Sequence, residues 1–282
     1  MKADLELQVK CFNLKYTLEC GQCFRWKMVE ENTYLGVMQD RVIKIKQDGE
    51  KIYIWSSLTE NLENIIREYF DLDTDYYEIE KNIARIDSNI AQSLKYSSGI
   101  HILNQPVFET IISYIISANN NIKRIGKSVD DISKMFGKKV QFDGEDYFLF
   151  PTITELRRAT MDDLLKCGTG FRARYILKTV EEMVENSQLL GNIMGMKTTE
   201  AREELLKFMG IGPKVADCIL LFSLKKSEVF PVDVWVKRIM EKLYFKENTS
   251  LKIISEYADK NFGNYAGIVQ QHLFHNVREG NI

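Results

Sequence analysis

Proline and glycine are scarce, four and sixteen in 282 residues, too few for a disordered, linker-rich or low-complexity chain. No apolar run approaches the ~20 residues of a membrane-spanning helix, and the first ten residues, MKADLELQVK, lack the apolar core of a secretory signal. No membrane association is expected, and a cytoplasmic location is. Five cysteines, at 11, 20, 23, 167 and 218, are an odd number at irregular spacing, which argues for reduced thiols rather than a disulfide framework. An excess of one charge is missing too, since 38 basic against 40 acidic residues leave a formal charge of −2. That balance excludes wholesale electrostatic coating of nucleic acid or an anionic membrane, and leaves room for a local basic patch. What the chain does have is apolar material, 45% hydrophobic and 11% aromatic, enough for at least one full-sized soluble core.

Ile43 and Ile45 alternate with Lys44 and Lys46, and Ile52 and Ile54 follow Asp48-Gly49. A period of two around a turn-forming dipeptide predicts a hairpin between Tyr34 and Trp55. From Ser57 onward Leu58, Leu62, Ile65, Ile66, Tyr69 and Phe70 fall at helical spacing. Further helices are predicted over 108–117, 122–136, 154–167, 174–186, 199–208, 215–224, 234–244, 251–261 and 268–278. Ser97-Ser98-Gly99 separates the mixed part from a remainder that reads as all helical. The expected fold is α+β: an N-terminal antiparallel β-sheet domain with flanking helices over 1–98, then a mostly helical domain over 99–282.

Two segments, Leu164 to Arg172 and Leu205 to Lys214, share a helix, a Gly-x-Gly and the start of a second helix. Glycines commonly end helices for backbone reasons, so neither segment alone specifies a function. The second, within a hairpin near 199–224, offers more. Gly210 and Gly212 leave backbone amides uncovered and Pro213 suits a first helical position, so the tip can hold a phosphate against the positive end of the helix dipole. Lys214 sits in that first turn, where the dipole disfavours an ammonium. A neutral amine there can attack an electrophilic sugar carbon and form a Schiff base, whereas a lysine without such context is ordinarily solvated or phosphate-contacting. Asp233, in Phe230-Pro231-Val232-Asp233-Val234-Trp235, reads as an N-cap. It is equally a fixed carboxylate able to stabilise positive charge on a sugar and to exchange protons with Lys214. Cys218 and Phe222 follow Lys214 at intervals of four, and Gln270 and Phe274 are also four apart, so each set shares a helix face. Ordinary core packing would account for Cys218, Phe222 and Phe274; Gln270 is harder to explain as core.

Gly210-Ile211-Gly212-Pro213-Lys214-Val215-Ala216-Asp217-Cys218, followed by Pro231-Val232-Asp233-Val234, resembles the helix-hairpin-helix-GPD superfamily of DNA glycosylases. Its Lys-Val-Ala-Asp-Cys run resembles the 8-oxoguanine branch. Gly21-Gln22-Cys23-Phe24-Arg25-Trp26, Asn119-Asn120-Asn121-Ile122-Lys123-Arg124, Gly170-Phe171-Arg172-Ala173-Arg174-Tyr175, and Tyr265-Ala266-Gly267 with Gln270 and Phe274 agree in order along most of the chain. The resemblance implies that Lys214 is the nucleophile and that Asp233 assists bond cleavage. It also implies a pocket for an extruded base, with Cys218 on one face of the purine, Phe274 on the other and Gln270 on the Watson–Crick edge. Phe222 would line that pocket, and the Gly21 carbonyl would accept from the base. 8-Oxoguanine carries a hydrogen on N7 where guanine has an acceptor, so a carbonyl can discriminate the two.

Asn119, Arg124, Phe171 and Arg172 match positions that work around the partner cytosine, Phe171 as a wedge and the arginines as donors. Without the family pattern they read as a helix cap, a core residue and solvated charges. Three positions depart from the family pattern: Trp235 stands in place of a histidine, Phe222 of a methionine and Phe171 of a tyrosine. The implied activity is excision of 8-oxoguanine from double-stranded DNA, followed by β-elimination strand cleavage from a Lys214 Schiff base. The competing readings are a non-catalytic, structure-specific helix-hairpin-helix DNA-binding protein and a glycosylase for another damaged base. Cys20 and Cys23 with His272 and His275 have the composition of a zinc site, but the histidines fall on the helix face away from Gln270 and Phe274. No four-cysteine run for an iron–sulfur cluster follows the catalytic segment. No cofactor or metal is expected, and a monomer is.

Overall fold

The structure, a computed structural model, describes residues 2–281. An antiparallel five-stranded sheet runs in the order β1 (Leu5–Gln8), β5 (Lys51–Ser56), β4 (Arg41–Asp48), β3 (Thr33–Met38), β2 (Trp26–Glu30). Asp48 pairs with Lys51 across β4 and β5, so Gly49 and Glu50 form a two-residue loop in which Gly49 adopts φ +55°. This is the hairpin that the alternation of isoleucines and lysines anticipates. Ile43, Ile45, Ile52 and Ile54 are fully buried, and α1 (Leu14–Glu19) and α2 (Leu62–Tyr69) cover their face with Leu14, Leu18, Leu62, Ile66 and Tyr69.

A second, larger core joins α3 (Tyr76–Ile83) and α4 (Ser88–Leu94) to α5 (Val107–Ser117), α6 (Ile122–Phe136) and the helices that follow. Tyr76, Ile83 and Ile90 are part of this core, so helices before Gly99 share apolar packing with those after it. The remainder is not wholly helical. β6 (Lys139–Phe142) and β7 (Glu145–Phe148) form a small hairpin around Asp143-Gly144, the same kind of turn dipeptide as Asp48-Gly49. The helix expected over 154–167 is two pieces, α7 (Ile153–Leu156) and α8 (Met161–Lys166). Thr160 and Asp163 form a reciprocal capping box that starts a new helix there.

Next come α9 (Ala173–Glu185), α10 (Leu189–Gly195), α11 (Thr198–Lys207) and α12 (Pro213–Leu224). α13 (Val234–Met240) loosens into a π-helical turn over Glu241–Phe245, where the sequence pattern suggests uninterrupted α-helix. α14 (Leu251–Phe262) and α15 (Ala266–Arg278) complete the fold. α5 packs along α12, and α15 packs against α4 and α13. The starts of α12 and α13, the end of α5 and the loop at Gly21 therefore border one cleft. Among the described residues no helix is long and apolar enough to cross a membrane.

Candidate active site

The cleft encloses about 1240 Å³ and is bordered by Lys123, Lys214, Lys237 and Arg278 against, among the described residues, one carboxylate, that of Asp233. A near-neutral chain thus concentrates positive charge at one opening, the local patch that its overall balance permits. At the floor lies an inner recess lined by Gly21, Tyr114, Lys214, Cys218, Phe222, Pro231, Asp233, Gln270, Gln271 and Phe274. Residues from the N-terminal loop, α5, α12, α13 and α15 meet there, and all seven expected catalytic and base-pocket residues are among them. The recess is small, about 40 Å³, and opens into the larger cleft through the residues that line both, Gly21, Tyr114, Lys214, Asp233 and Phe274. Phe274 is the partly exposed ring among them.

α12 begins at Pro213 with Gly212 as its extended N-cap and no side-chain cap, which leaves the first-turn dipole open to an anion. Gly210 has φ +88°, and a Cβ there would lie 2.6 Å from Cδ2 of Tyr175; only glycine lets the hairpin tip approach that ring. Arg202 and Asp217 hold the two hairpin helices together with a 2.7 Å ion pair. One turn inward, the Lys214 Nζ lies 5.3 Å from the centre of the Tyr114 ring, which itself stacks on Phe222 at 5.7 Å. Burial pushes the Cys218 thiol up to about 11, with Lys214 pulling it down through charge and a hydrogen bond and Asp233 adding to the rise. Cys218 is therefore a neutral, polarisable wall at physiological pH rather than a thiolate. Asp233 caps α13 by accepting from the Val236 N–H at 2.8 Å, so the cap geometry fixes one carboxylate oxygen on the rim of the recess.

Gly21 has φ +89°, and a Cβ would stand 3.3 Å from both Phe274 Cε1 and Arg278 Nη1. Its neighbour Gln22 is fully buried. Gln22 donates from Nε2 to the Thr17 and His101 carbonyls at 2.9 and 2.8 Å, and its Oε1 accepts from the Leu103 N–H at 2.9 Å. The Gln22 carbonyl accepts from Gln105 Nε2 at 2.8 Å and from the Tyr114 hydroxyl at 3.2 Å. The Gln105 backbone N–H in turn donates to the Phe222 carbonyl at 2.8 Å. A continuous strap of hydrogen bonds thus ties the Gly21 loop to α5 and α12. Sequence reasoning passes over Gln105 and Tyr114, because their partners lie far away along the chain; for Tyr114 the only local signal is a polar tip inside an isoleucine-rich helix.

The remaining candidates lie outside the recess. Asn119 is exposed, with φ +51°, and borders the outer cleft. It is not a helix cap: Asn121 caps α6, accepting from the Arg124 N–H at 3.0 Å. Arg124 is exposed. Phe171 is 54% exposed, which removes the core reading for it, and the Arg172 guanidinium lies 4.4 Å from its ring centre. Arg172 is buried, contrary to a solvated charge. It donates to the carbonyls of Ala118, Asn119 and Thr169, so it shapes the Asn119 turn, and burial, then Arg124, push its pKa down. Trp235 lies exposed on the cleft rim with Arg238 over its ring at 5.2 Å, which puts that departure from the family pattern at the edge of the site. The thiols of Cys20 and Cys23 donate to the Thr17 and Leu18 carbonyls at 3.3 and 3.4 Å. His272 Nδ1 meets Ser97 Oγ at 2.9 Å, and His275 packs on Tyr16. Among the described residues, no three His, Cys, Asp or Glu side chains gather as metal ligands would.

A glycine-tipped helical hairpin carrying an amine in its second helix, with a capping carboxylate and a carboxamide facing the same recess, is the arrangement of a helix-hairpin-helix DNA glycosylase. Comparison with known families agrees. The 8-oxoguanine DNA glycosylase N-terminal domain matches residues 4–111, and the HhH-GPD superfamily of base excision DNA repair proteins matches residues 112–262; the chain belongs to this family. A "Probable N-glycosylase/DNA lyase" of Methanothermobacter thermautotrophicus is 35% identical over 246 residues, 80% of this chain and 77% of that protein. The N-glycosylase/DNA lyase of Saccharomyces cerevisiae is 33% identical over 257 residues, 82% of this chain and 68% of that protein. The Clostridium acetobutylicum 8-oxoguanine glycosylase/lyase, solved with double-stranded DNA containing cytosine opposite 8-oxoguanine, superposes with a TM-score of 0.93 at 41% identity, covering 100% of both chains.

Proposed function

We propose that this chain excises 8-oxoguanine from double-stranded DNA and then cleaves the strand as an AP lyase. The observation that carries the reading is the meeting of Lys214, Asp233, Cys218, Gln270, Phe274 and Gly21 on one recess. The hairpin tip at Gly210 and Gly212 grips backbone phosphate, and the positive cleft steers the duplex. Phe171 fills the gap left by the extruded nucleotide, while Arg124, Arg172 and Asn119 support the partner base. Inside, Phe274 swings aside and closes over the purine against Cys218, Gln270 reads its Watson–Crick edge, and the Gly21 carbonyl accepts from N7–H.

The neutral Lys214 amine attacks C1′ of the sugar and the C1′–N9 bond breaks, its electron pair leaving with the base. Asp233 stabilises the positive charge that develops on the sugar and exchanges the protons that free Lys214 for attack. The resulting N,O-acetal opens as the C1′–O4′ bond breaks and O4′ takes a proton, which leaves a Schiff base between Lys214 Nζ and C1′. Loss of a C2′ proton then expels the 3′ phosphate by β-elimination, and water releases the lysine. We assign residues 1–98 as the domain that supplies Gly21 and 99–282 as the catalytic and DNA-binding domain. The same reading extends to a cytoplasmic monomer: five unpaired thiols fit a reducing compartment, one chain supplies both proposed catalytic residues, and an amine with a carboxylate carries the reaction as written with no cofactor. Incubation with duplexes carrying one 8-oxoguanine opposite each normal base in turn tests the reading. Free base and a nicked strand are expected, and neither product with any duplex would overturn it.

A further inference from the structure

Gln271 follows Gln270 on α15, and both are buried, 3% and 4% exposed. Gln271 Nε2 donates to Gln270 Oε1 at 2.8 Å, while its own Oε1 is buried with no hydrogen-bond partner. Folded chains rarely leave a buried carboxamide oxygen without a donor, because the group forfeits its hydration for nothing. Among the described residues, Gln271 is the one member of the recess lining that carries such an orphan atom. A missing donor at the edge of a ligand recess points to a donor that arrives with the ligand.

We propose that Gln271 is a specificity-determining residue of the base pocket: it orients the Gln270 carboxamide, and its Oε1 accepts from the exocyclic 2-amino group of the extruded base. The inference rests on the reading of the recess as that pocket. The Watson–Crick edge of 8-oxoguanine presents one acceptor, O6, and two donors, N1–H and the 2-amino group. A single carboxamide offers one donor group and one acceptor, so Gln270 alone serves two of the three. The bond from Gln271 holds the Gln270 oxygen on the Gln271 side and turns its Nε2 the other way. The pair together then offers a donor for O6 and two acceptors for the two donors of the base. Gln270 identifies a 6-oxopurine; Gln271 adds the requirement for an amine at C2.

The base that separates these roles is 8-oxohypoxanthine, which keeps N7–H, O6 and N1–H and lacks the 2-amino group. In single-turnover excision the wild-type protein is expected to prefer 8-oxoguanine roughly five- to hundredfold, the effect of one unsatisfied buried polar group. Gln271→Met, close in shape and without the acceptor, is expected to bring that ratio near one, chiefly by slowing 8-oxoguanine excision. Its thermal stability should change little, since the substitution removes an orphaned buried oxygen while taking from Gln270 Oε1 the donor it has in Gln271, two effects of opposite sign. Gln271→Leu is the second variant should the first not fold. A variant that keeps the wild-type ratio, a loss equal for both bases, or a wild-type protein indifferent to the amine overturns the inference and leaves the glycosylase reading intact. Wild-type protein that excises neither base overturns both.

Discussion

Replacing Gly21 by alanine probes the proposed reader of N7–H, and its cost divides into two measurable parts. The first is backbone strain: at φ +89° a side chain costs about 1–2 kcal/mol, or roughly 2–8 °C in Tm for a chain of this size. The second belongs to the site. The new Cβ would lie 3.3 Å from Phe274 Cε1 and Arg278 Nη1 and 3.4 Å from Ile122 Cδ1, and Arg278 is itself held by donating to the Glu19 carbonyl at 2.7 Å. The loop therefore moves away from α15, and the Gly21 carbonyl moves with it. A carbonyl that no longer meets N7–H forfeits about 1–3 kcal/mol, roughly five- to hundredfold in preference for 8-oxoguanine over guanine. Gly49→Ala is the matched control, since Gly49 also has positive φ, +55°, but a Cβ there meets nothing within 4 Å. Thermal melts and competition binding of 8-oxoguanine and guanine duplexes should show both variants less stable and only Gly21→Ala less selective. Unchanged selectivity in a folded Gly21→Ala protein would refute readout by this carbonyl.

Other substitutions and conditions separate further parts of the site. Asp233→Asn should keep the α13 cap and change Tm little, because asparagine also caps helices, yet slow base excision by orders of magnitude; full activity would leave only the cap role. Competition binding with 7-deaza-8-oxoguanine, which has C–H in place of N7–H, should be weaker than with 8-oxoguanine by the same factor assigned to the Gly21 carbonyl, and equal affinity would remove that contact. Gly210→Ala places a Cβ 2.6 Å from Tyr175 at φ +88° and should cost about 2 kcal/mol or more. Affinity for undamaged duplex, measured by titration, should fall with it; unchanged affinity would take the phosphate role from the hairpin tip. Burial pushes His101 down to about 4 and His272 down to about 3. The unfolded chain therefore binds protons below about pH 6.5 that the folded one refuses, and each histidine removes up to ~1.4 kcal/mol per pH unit as pH falls from 6.5 toward 4. His272→Asn should flatten that loss in pH-dependent melts; an unchanged slope would contradict it.

Local rules account for much of the fold. Alternating isoleucines around Asp48-Gly49 mark the β4–β5 hairpin, and the predicted helix over 122–136 coincides with α6. The same turn signal at Asp143-Gly144 marks β6–β7, but those strands are four residues each, too short for a period of two to stand out. Thr160 divides a helix that apolar spacing alone would carry through, because its capping box with Asp163 offers the backbone a better start. The i, i+4 placement of Lys214, Cys218 and Phe222 makes one wall of the recess legible from a single helix. The Gly21 side of the recess and the Asn119 turn beside the outer cleft are not, because contacts such as Gln105 to Gln22 and Arg172 to Asn119 join residues 83 and 53 positions apart. Nor does any sequence period show that Gln271 is left with an orphaned oxygen beside Gln270. That follows only once α15 is packed against α4 and α13.

Borohydride trapping on a duplex with 8-oxoguanine opposite cytosine tests the central assignment most directly, because reduction of a Schiff base fixes the sugar to the amine that attacked it. The expected result is a covalent protein–DNA adduct whose peptide map places the sugar on Lys214. Lys214→Gln should give no adduct while binding the lesion duplex with near wild-type affinity. An adduct of normal yield from the Lys214→Gln protein, or one mapped to a different amine, would contradict the assignment.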